Sequence, residues 1–79
     1  MNKFTVAILV NNQFGVLNRV TSMFRRRAFN ITSLTVSETE SEEFSRITVQ
    51  SEGDGIKKEQ LINQLYKLPD IVSVQELSN

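Results

Sequence analysis

Asn11-Asn12-Gln13-Phe14-Gly15-Val16-Leu17-Asn18-Arg19-Val20 is where one periodicity gives way to another. Before it, Phe4, Val6, Ile8 and Val10 alternate with Thr5, Ala7 and Leu9. Both sets are largely apolar, which is the pattern of a central strand, Phe4 to Val10. After it, Val16, Leu17, Val20, Phe24 and Arg27 follow steps of three and four, with Met23 beside them. That is a helix, ending near Ala28, with Arg25 to Arg27 in the last turn where cations suit the dipole. A strand therefore feeds a tight turn into a helix N-terminus. Such a terminus presents unpaired N–H groups and a partial positive charge, which suit a small carboxylate.

The pattern continues outward from this turn. Asn30 to Ser37 alternates, with Thr32, Leu34 and Val36 on one face and Ile31, Ser33 and Thr35 on the other. Glu38 to Glu43 is polar and reads as a hairpin turn. Phe44 to Ser51 is a strand with Ile47 and Val49 inward, and Arg46, Thr48 and Gln50 outward. Gly53-Asp54-Gly55 breaks it. Ile56 to Leu68 is helical, with Leu61, Ile62, Leu65 and Leu68 on one stripe, and Pro69 ends it. Ile71 to Leu77 is a last strand with Val72 and Val74 inward. The order β-α-β-β-α-β gives an α+β, ferredoxin-like domain over residues 1–79. Its four-stranded antiparallel sheet carries both helices on one face. The second strand falls at a sheet edge, and an edge without proline invites a second copy to pair with it.

Composition narrows the function. A chain of 79 residues is one domain with a marginal core, and without cysteine no disulfide or thiolate metal site can staple it. Self-association is the expected source of further burial. Nine basic and nine acidic residues cancel, which removes net charge as a pointer to nucleic acid or anionic membrane. The apolar run is too short to span a bilayer, and no secretory leader is expected. The absence of histidine removes the commonest general base and neutral metal ligand, and no Asp-rich cation loop occurs. No catalytic residue and no metal site is expected. The charges are unevenly placed: Arg19, Arg25, Arg26 and Arg27 lie in the first half, and Glu38, Glu40, Glu42 and Glu43 follow. These form either solvated ends or a surface for a partner protein.

Three residues remain as the leading candidates: Asn12, Gly15 and Asn30. Asn12 and Gly15 read either as helix cap and turn glycine, or as part of a carboxylate cradle with the N–H groups of Gly15, Val16 and Leu17. The dipole contributes about 0.3–1 kcal/mol at an exposed site. An apolar pocket would have to add roughly 0.8 kcal/mol per buried CH₂. Asn30 reads as a turn amide, or as an acceptor for an ammonium group. RNA binding through the arginines is disfavoured, because the sheet lacks paired exposed aromatics for base stacking.

Asn12-Gln13-Phe14-Gly15-Val16-Leu17 resembles the N-x-x-G-x-L turn of ACT domains, small β-α-β-β-α-β modules that bind amino acids. Phe24-Arg25-Arg26-Arg27-Ala28-Phe29-Asn30-Ile31-Thr32-Ser33-Leu34-Thr35-Val36 resembles the more specific segment of the small regulatory subunits of acetohydroxyacid (acetolactate) synthase. Ser45-Arg46-Ile47-Thr48-Val49 and Gln64-Leu65-Tyr66-Lys67-Leu68, followed by Asp70 and Val74, are similar to two further segments of that family. The resemblance implies an allosteric, non-catalytic cytoplasmic chain in branched-chain amino-acid biosynthesis. It implies a homodimer paired edge to edge, with a branched-chain amino acid, chiefly valine, bound between the copies. The implied partner is a catalytic large subunit, which itself carries thiamine diphosphate, Mg and FAD; none of these is expected in this chain. Carried over by position, Asn12, Gly15, Val16 and Leu17 hold the effector carboxylate, and Asn30 and Ile31, from the same or the neighbouring copy, close the site. A stand-alone ACT-like interaction module without effector is the competing expectation. Three departures stand out: members are about twice this length, Phe14 stands where proline or a small residue is usual, and Ala28 replaces a glycine. If position 28 needs φ > 0, alanine costs on the order of 1 kcal/mol there.

Overall fold

A computed structural model describes residues 2–77; Met1, Ser78 and Asn79 lie outside the described residues. The elements are β1 (Asn2–Asn11), α1 (Val16–Arg26), β2 (Asn30–Glu38), β3 (Phe44–Gly53), α2 (Gly55–Tyr66) and β4 (Ile71–Leu77). The sheet order is β2-β3-β1-β4, with every neighbouring pair antiparallel. β1 is central as its doubly apolar pattern implies, and β2 and β4 are the edges. Phe4, Val6, Ile8 and Val10 from β1, and Ile47 and Val49 from β3, form the core with Val16, Val20 and Phe24 of α1 and Leu61 and Leu65 of α2. Both helices thus cover the same face. Buried Ser51 is satisfied, since its hydroxyl donates to the Asn30 carbonyl at 2.9 Å.

Both edge strands depart from simple alternation, and for one reason. β2 shifts register between Ile31 and Ser33, leaving Thr32 as the extra residue of a bulge. Ile31 then pairs with Ser51, Leu34 with Val49 and Val36 with Ile47. Residues opposed across a ladder share a face, so Ile31, Leu34 and Val36 all point to the helix side. The expected grouping of Thr32 with Leu34 and Val36, and of Ile31 on the other face, is corrected. β4 repeats the device: Ile71 pairs with Val10 and Val74 with Ile8, with the shift falling at Val72. Ile71 and Val74 pack on the core, whereas Val72, expected inward, is exposed. A single inserted residue inverts the parity of everything before it.

The two edges also differ in how they are finished. The Tyr66 hydroxyl sits 3.0 Å from both the nitrogen and the carbonyl oxygen of Val74. It accepts from that N–H and donates to that carbonyl, covering the middle of β4. No such side chain covers the centre of β2 among the described residues.

The end of α1 explains Ala28. Phe29 N–H donates to the Phe24 carbonyl at 2.9 Å and Ala28 N–H to the Arg25 carbonyl at 3.1 Å. This six-to-one and five-to-two pair is a Schellman motif, which requires a left-handed residue at the position of Ala28. Its φ is 61°. The accompanying hydrophobic contact is the edge-on packing of Phe29 against Phe24, centroids 6.5 Å apart. Phe29 also packs edge-on against Phe4 at 5.5 Å. Alanine pays the steric cost of this backbone that glycine avoids. Ala28→Gly should therefore stabilise the domain by about 1 kcal/mol, raising Tm by roughly 4–8 °C in a thermal melt. An unchanged or lower Tm would contradict the assignment.

α2 starts one residue earlier than expected, at Gly55, because Asp54 caps it: Asp54 Oδ1 accepts from Ile56 N–H at 2.9 Å. It ends at Tyr66 rather than Leu68, with the Lys67 and Leu68 N–H groups closing tighter turns onto Gln64 and Leu65. Among the described residues no helix is long and apolar enough to cross a membrane.

Candidate functional site: the cleft at the start of α1

Three connections meet where β1 hands over to α1. Asn11 N–H donates to the Asp70 carbonyl and Asn12 N–H to the Glu43 carbonyl, both at 2.8 Å. Gln13 N–H turns back to the Asn11 carbonyl at the same distance. Gly15 then takes φ 83°, the left-handed conformation that glycine adopts without steric cost. The loop is thus pinned to the β2–β3 hairpin on one side and to the turn before β4 on the other. An ion pair between Arg19 and Asp70 braces the second side. With Arg19 42% exposed, that pair contributes little energy, and its effect is to fix position.

Asn12 is not the helix cap. Gly15 occupies the cap position and no side chain caps α1. Asn12 instead reaches across to the hairpin: its Nδ2 donates to the Glu42 carbonyl at 3.2 Å, and its Oδ1 accepts from the Ser45 hydroxyl at 3.3 Å. The Val16 N–H is partly used, donating to the Gln13 carbonyl at 3.3 Å. The N–H groups of Gly15, Leu17 and Asn18 have no acceptor among the described residues. Gly15, Leu17 and Asn18 thus keep free backbone donors at the start of α1, and the Val16 N–H is held by a long bond to Gln13. The Val16 side chain is buried in the core, and Leu17 is 41% exposed at the rim.

An open cleft of about 280 Å³ lies in front of these donors. Asn12, Gly15, Val16 and Leu17 line it, as do Phe14 and, from across the sheet, Val36, Ser45 and Ile47. Phe14 projects fully into solvent at its mouth, and Val36 is half exposed. The cleft can receive a small carboxylate at the helix start with an aliphatic group against Val36 and Ile47. Val36, Ser45 and Ile47 escape local sequence reading, because only the β2–β3 register brings them to the turn. For Val36 and Ile47 the one signal is an apolar residue on a strand; Ser45 carries none.

Asn30 and Ile31 do not join the cleft within one chain. Asn30 pairs with Glu52 at the far end of the sheet, whereas Val36 and Glu38 pair with Ile47 and Ser45 beside the loop. Six residues of strand separate Asn30 from Val36, about 20 Å at roughly 3.3 Å per residue. Asn30 is exposed, and its neighbour Ile31 packs at the core margin. Only a second copy can bring this pair to the cleft.

Comparison with known proteins gives the family. Residues 6–73 match the family described as AHAS small subunit-like ACT domain. A "Probable acetolactate synthase small subunit" of Archaeoglobus fulgidus is 51% identical over 76 residues, 96% of this chain and 48% of that protein. The acetolactate synthase small subunit of Haemophilus influenzae is 44% identical over 73 residues, 92% of this chain and 45% of that one. Among solved structures, the acetolactate synthase small subunit from Thermotoga maritima superposes with TM-score 0.87 at 38% identity, over 99% of this chain and 48% of that chain. The chain spans about half the length of the curated relatives it matches. The β-α-β-β-α-β order, the glycine turn into α1 and these identities make the chain a member of the AHAS small subunit-like ACT domain family.

Proposed function

We propose that this chain is a single ACT domain of a non-catalytic regulatory subunit of acetolactate synthase. In this reading it senses a branched-chain amino acid, valine foremost, and conveys its occupancy to a catalytic large subunit in the cytoplasm. Thiamine diphosphate, Mg²⁺ and FAD belong to that catalytic chain. The observation that carries the reading is the cleft itself: three residues with unpaired N–H groups at a helix start share its lining with Val36 and Ile47.

The cleft is open, and a helix N-terminus adds only about 0.3–1 kcal/mol at an exposed site. Tight binding therefore calls for a second wall. The bare β2 edge supplies it. Two copies paired antiparallel through β2 about Leu34 set Asn30 of the partner copy opposite Glu38 and the partner's Ile31 opposite Ser37, beside the cleft. The partner's Asn30 amide then accepts from the ligand ammonium, while Gly15, Leu17 and Asn18 donate to its carboxylate. Leu34 and Val36, exposed on the helix side of the edge, gain cover in the same step. The Tyr66 seal on β4 leaves β2 as the open edge. Occupancy changes the rigidity or arrangement of the pair, a coupling typically worth about 1–3 kcal/mol.

Titration calorimetry of the chain with L-valine, L-leucine and L-isoleucine tests this. The expected result is saturable heat with at least one of them, at up to one ligand per protomer. Dimers by light scattering with no heat from any of the three would leave the interaction-module reading standing instead.

A further inference from the structure

The ends of β2 carry opposite charge. Arg25, Arg26 and Arg27 precede it, at the end of α1, and Glu38, Glu40, Glu42 and Glu43 follow it, at and beyond its last residue. The nine residues of β2 hold the two groups roughly 30 Å apart at about 3.3 Å per residue. They cannot meet within one chain. The ion pairs among the described residues, Arg19–Asp70 and Lys58–Glu76, involve neither group. Arg25 makes one contact, donating to the Ser22 hydroxyl at 3.1 Å. Seven charges thus bracket a bare strand edge; one end is acidic on balance, with Arg46 of β3 beside Glu38 and Glu40, and the other is basic on balance, with Glu52 of β3 opposite Asn30.

We propose that these clusters are the orientation code for self-pairing through β2, the occupant of the edge being a second copy of this chain. The inference rests on the reading that β2 is the pairing edge, and it goes further by naming what selects the partner. An antiparallel copy sets Arg25–Arg27 against Glu38–Glu43 at both ends of the joint. A parallel copy sets arginine against arginine and glutamate against glutamate, which repels at both ends. The edge thereby disfavours a parallel mate, and a foreign strand with acidic or basic flanks at both ends is attracted at one end and repelled at the other. Because the amino-acid cleft borrows Asn30 from the second copy only in the antiparallel arrangement, the code also determines whether the site is assembled. Complementary ends of this kind steer encounter as well as orientation.

A charge exchange tests the code in the whole chain by sedimentation velocity. One variant carries Arg25→Glu, Arg26→Glu and Arg27→Glu, and has acidic ends throughout. The other carries Glu38→Lys, Glu40→Lys, Glu42→Lys and Glu43→Lys, and has basic ends throughout. Each alone should self-associate at least tenfold more weakly than the unmodified chain. An equimolar mixture should recover a dimer, because acidic ends then face basic ends twice. Circular dichroism melts check that each variant folds. Should the arginine variant fail to fold, weaker dimerisation of the unmodified chain at 1 M than at 0.05 M salt gives the same reading. Two variants that dimerise as well as the parent, or a folded mixture that stays monomeric while the parent dimerises, would overturn the code and leave edge pairing intact. A parent chain that stays monomeric at every concentration would overturn edge pairing itself.

Discussion

Gly15→Asp should weaken branched-chain amino-acid binding roughly a hundredfold, while Gly15→Asn at the same position costs far less. Gly15 lines the cleft with Leu17 and Asn18, and the N–H groups of all three have no acceptor among the described residues. An aspartate there places a carboxylate against the site of the ligand's own. Two like charges about 4 Å apart repel by roughly 4 kcal/mol at an effective dielectric near 20. Arg19 offsets part of this, since its Nη1 lies 3.3 Å from where the new Cβ would stand. A net loss near 2–3 kcal/mol remains, and every 1.4 kcal/mol is a factor of ten. The asparagine variant separates charge from backbone. Both side chains must adopt φ 83°, and asparagine is among the residues that tolerate the left-handed region best. Calorimetry with L-valine on both variants reads the difference. Equal affinity for the two would mean that no carboxylate lies at the start of α1.

Gly53→Ala should destabilise the domain by about 3 kcal/mol, at the upper end of the range for overpacking, lowering Tm by roughly 12–24 °C. A Cβ at position 53 would overlap Cδ1 and Cε1 of the Phe29 ring and stand 3.1 Å from its Cγ. The ring has nowhere to go. It is buried between Phe4 and Phe24, edge-on to both. The same ring is anchored by the Schellman turn at Ala28, so relief at one end strains the other. A denaturant melt monitored by circular dichroism measures the loss. A change below about 0.5 kcal/mol would mean that the aromatic cluster repacks freely and that the α1–β2 turn is not held as described.

How far the fold could be read from residue order depends on which interactions decide each element. β1 and α1 were legible because a clear period-two run meets a clear helical run at a glycine. The central place of β1 followed from its two apolar faces, and β2 stands at the edge as expected. The faces of β2 and β4 were misread upstream of Thr32 and at Val72, because a bulge is set by tertiary pairing and leaves no local mark in these strands. Asp54 as the cap of α2 was legible in principle: an aspartate before a helical run is a start signal, but between two glycines it read only as a break. At the site, the turn glycine and the helix start were legible. Asn12 reads in the sequence as a helix cap or as part of the cradle, and only the fold reveals that it ties the turn to the hairpin through Glu42 and Ser45. Val36 and Ile47 came to the cleft through strand register, which no window of sequence contains. Ala28 is the opposite case: its departure from glycine raised the question of positive φ, and φ 61° answers it.

The central claim is that a zwitterion docks its carboxylate on the free N–H groups at the start of α1 and its ammonium on Asn30 of a second copy. Proton–nitrogen correlation spectra of the isotopically labelled chain, recorded as L-valine is added, address both halves at once. The backbone amides of Gly15, Leu17 and Asn18 and the side-chain amide of Asn30 should shift together and saturate at one ligand concentration, although about 20 Å separates the two regions within a single chain. Movement of the Asn30 amide without the helix start, or spectra unchanged at millimolar valine, would contradict it.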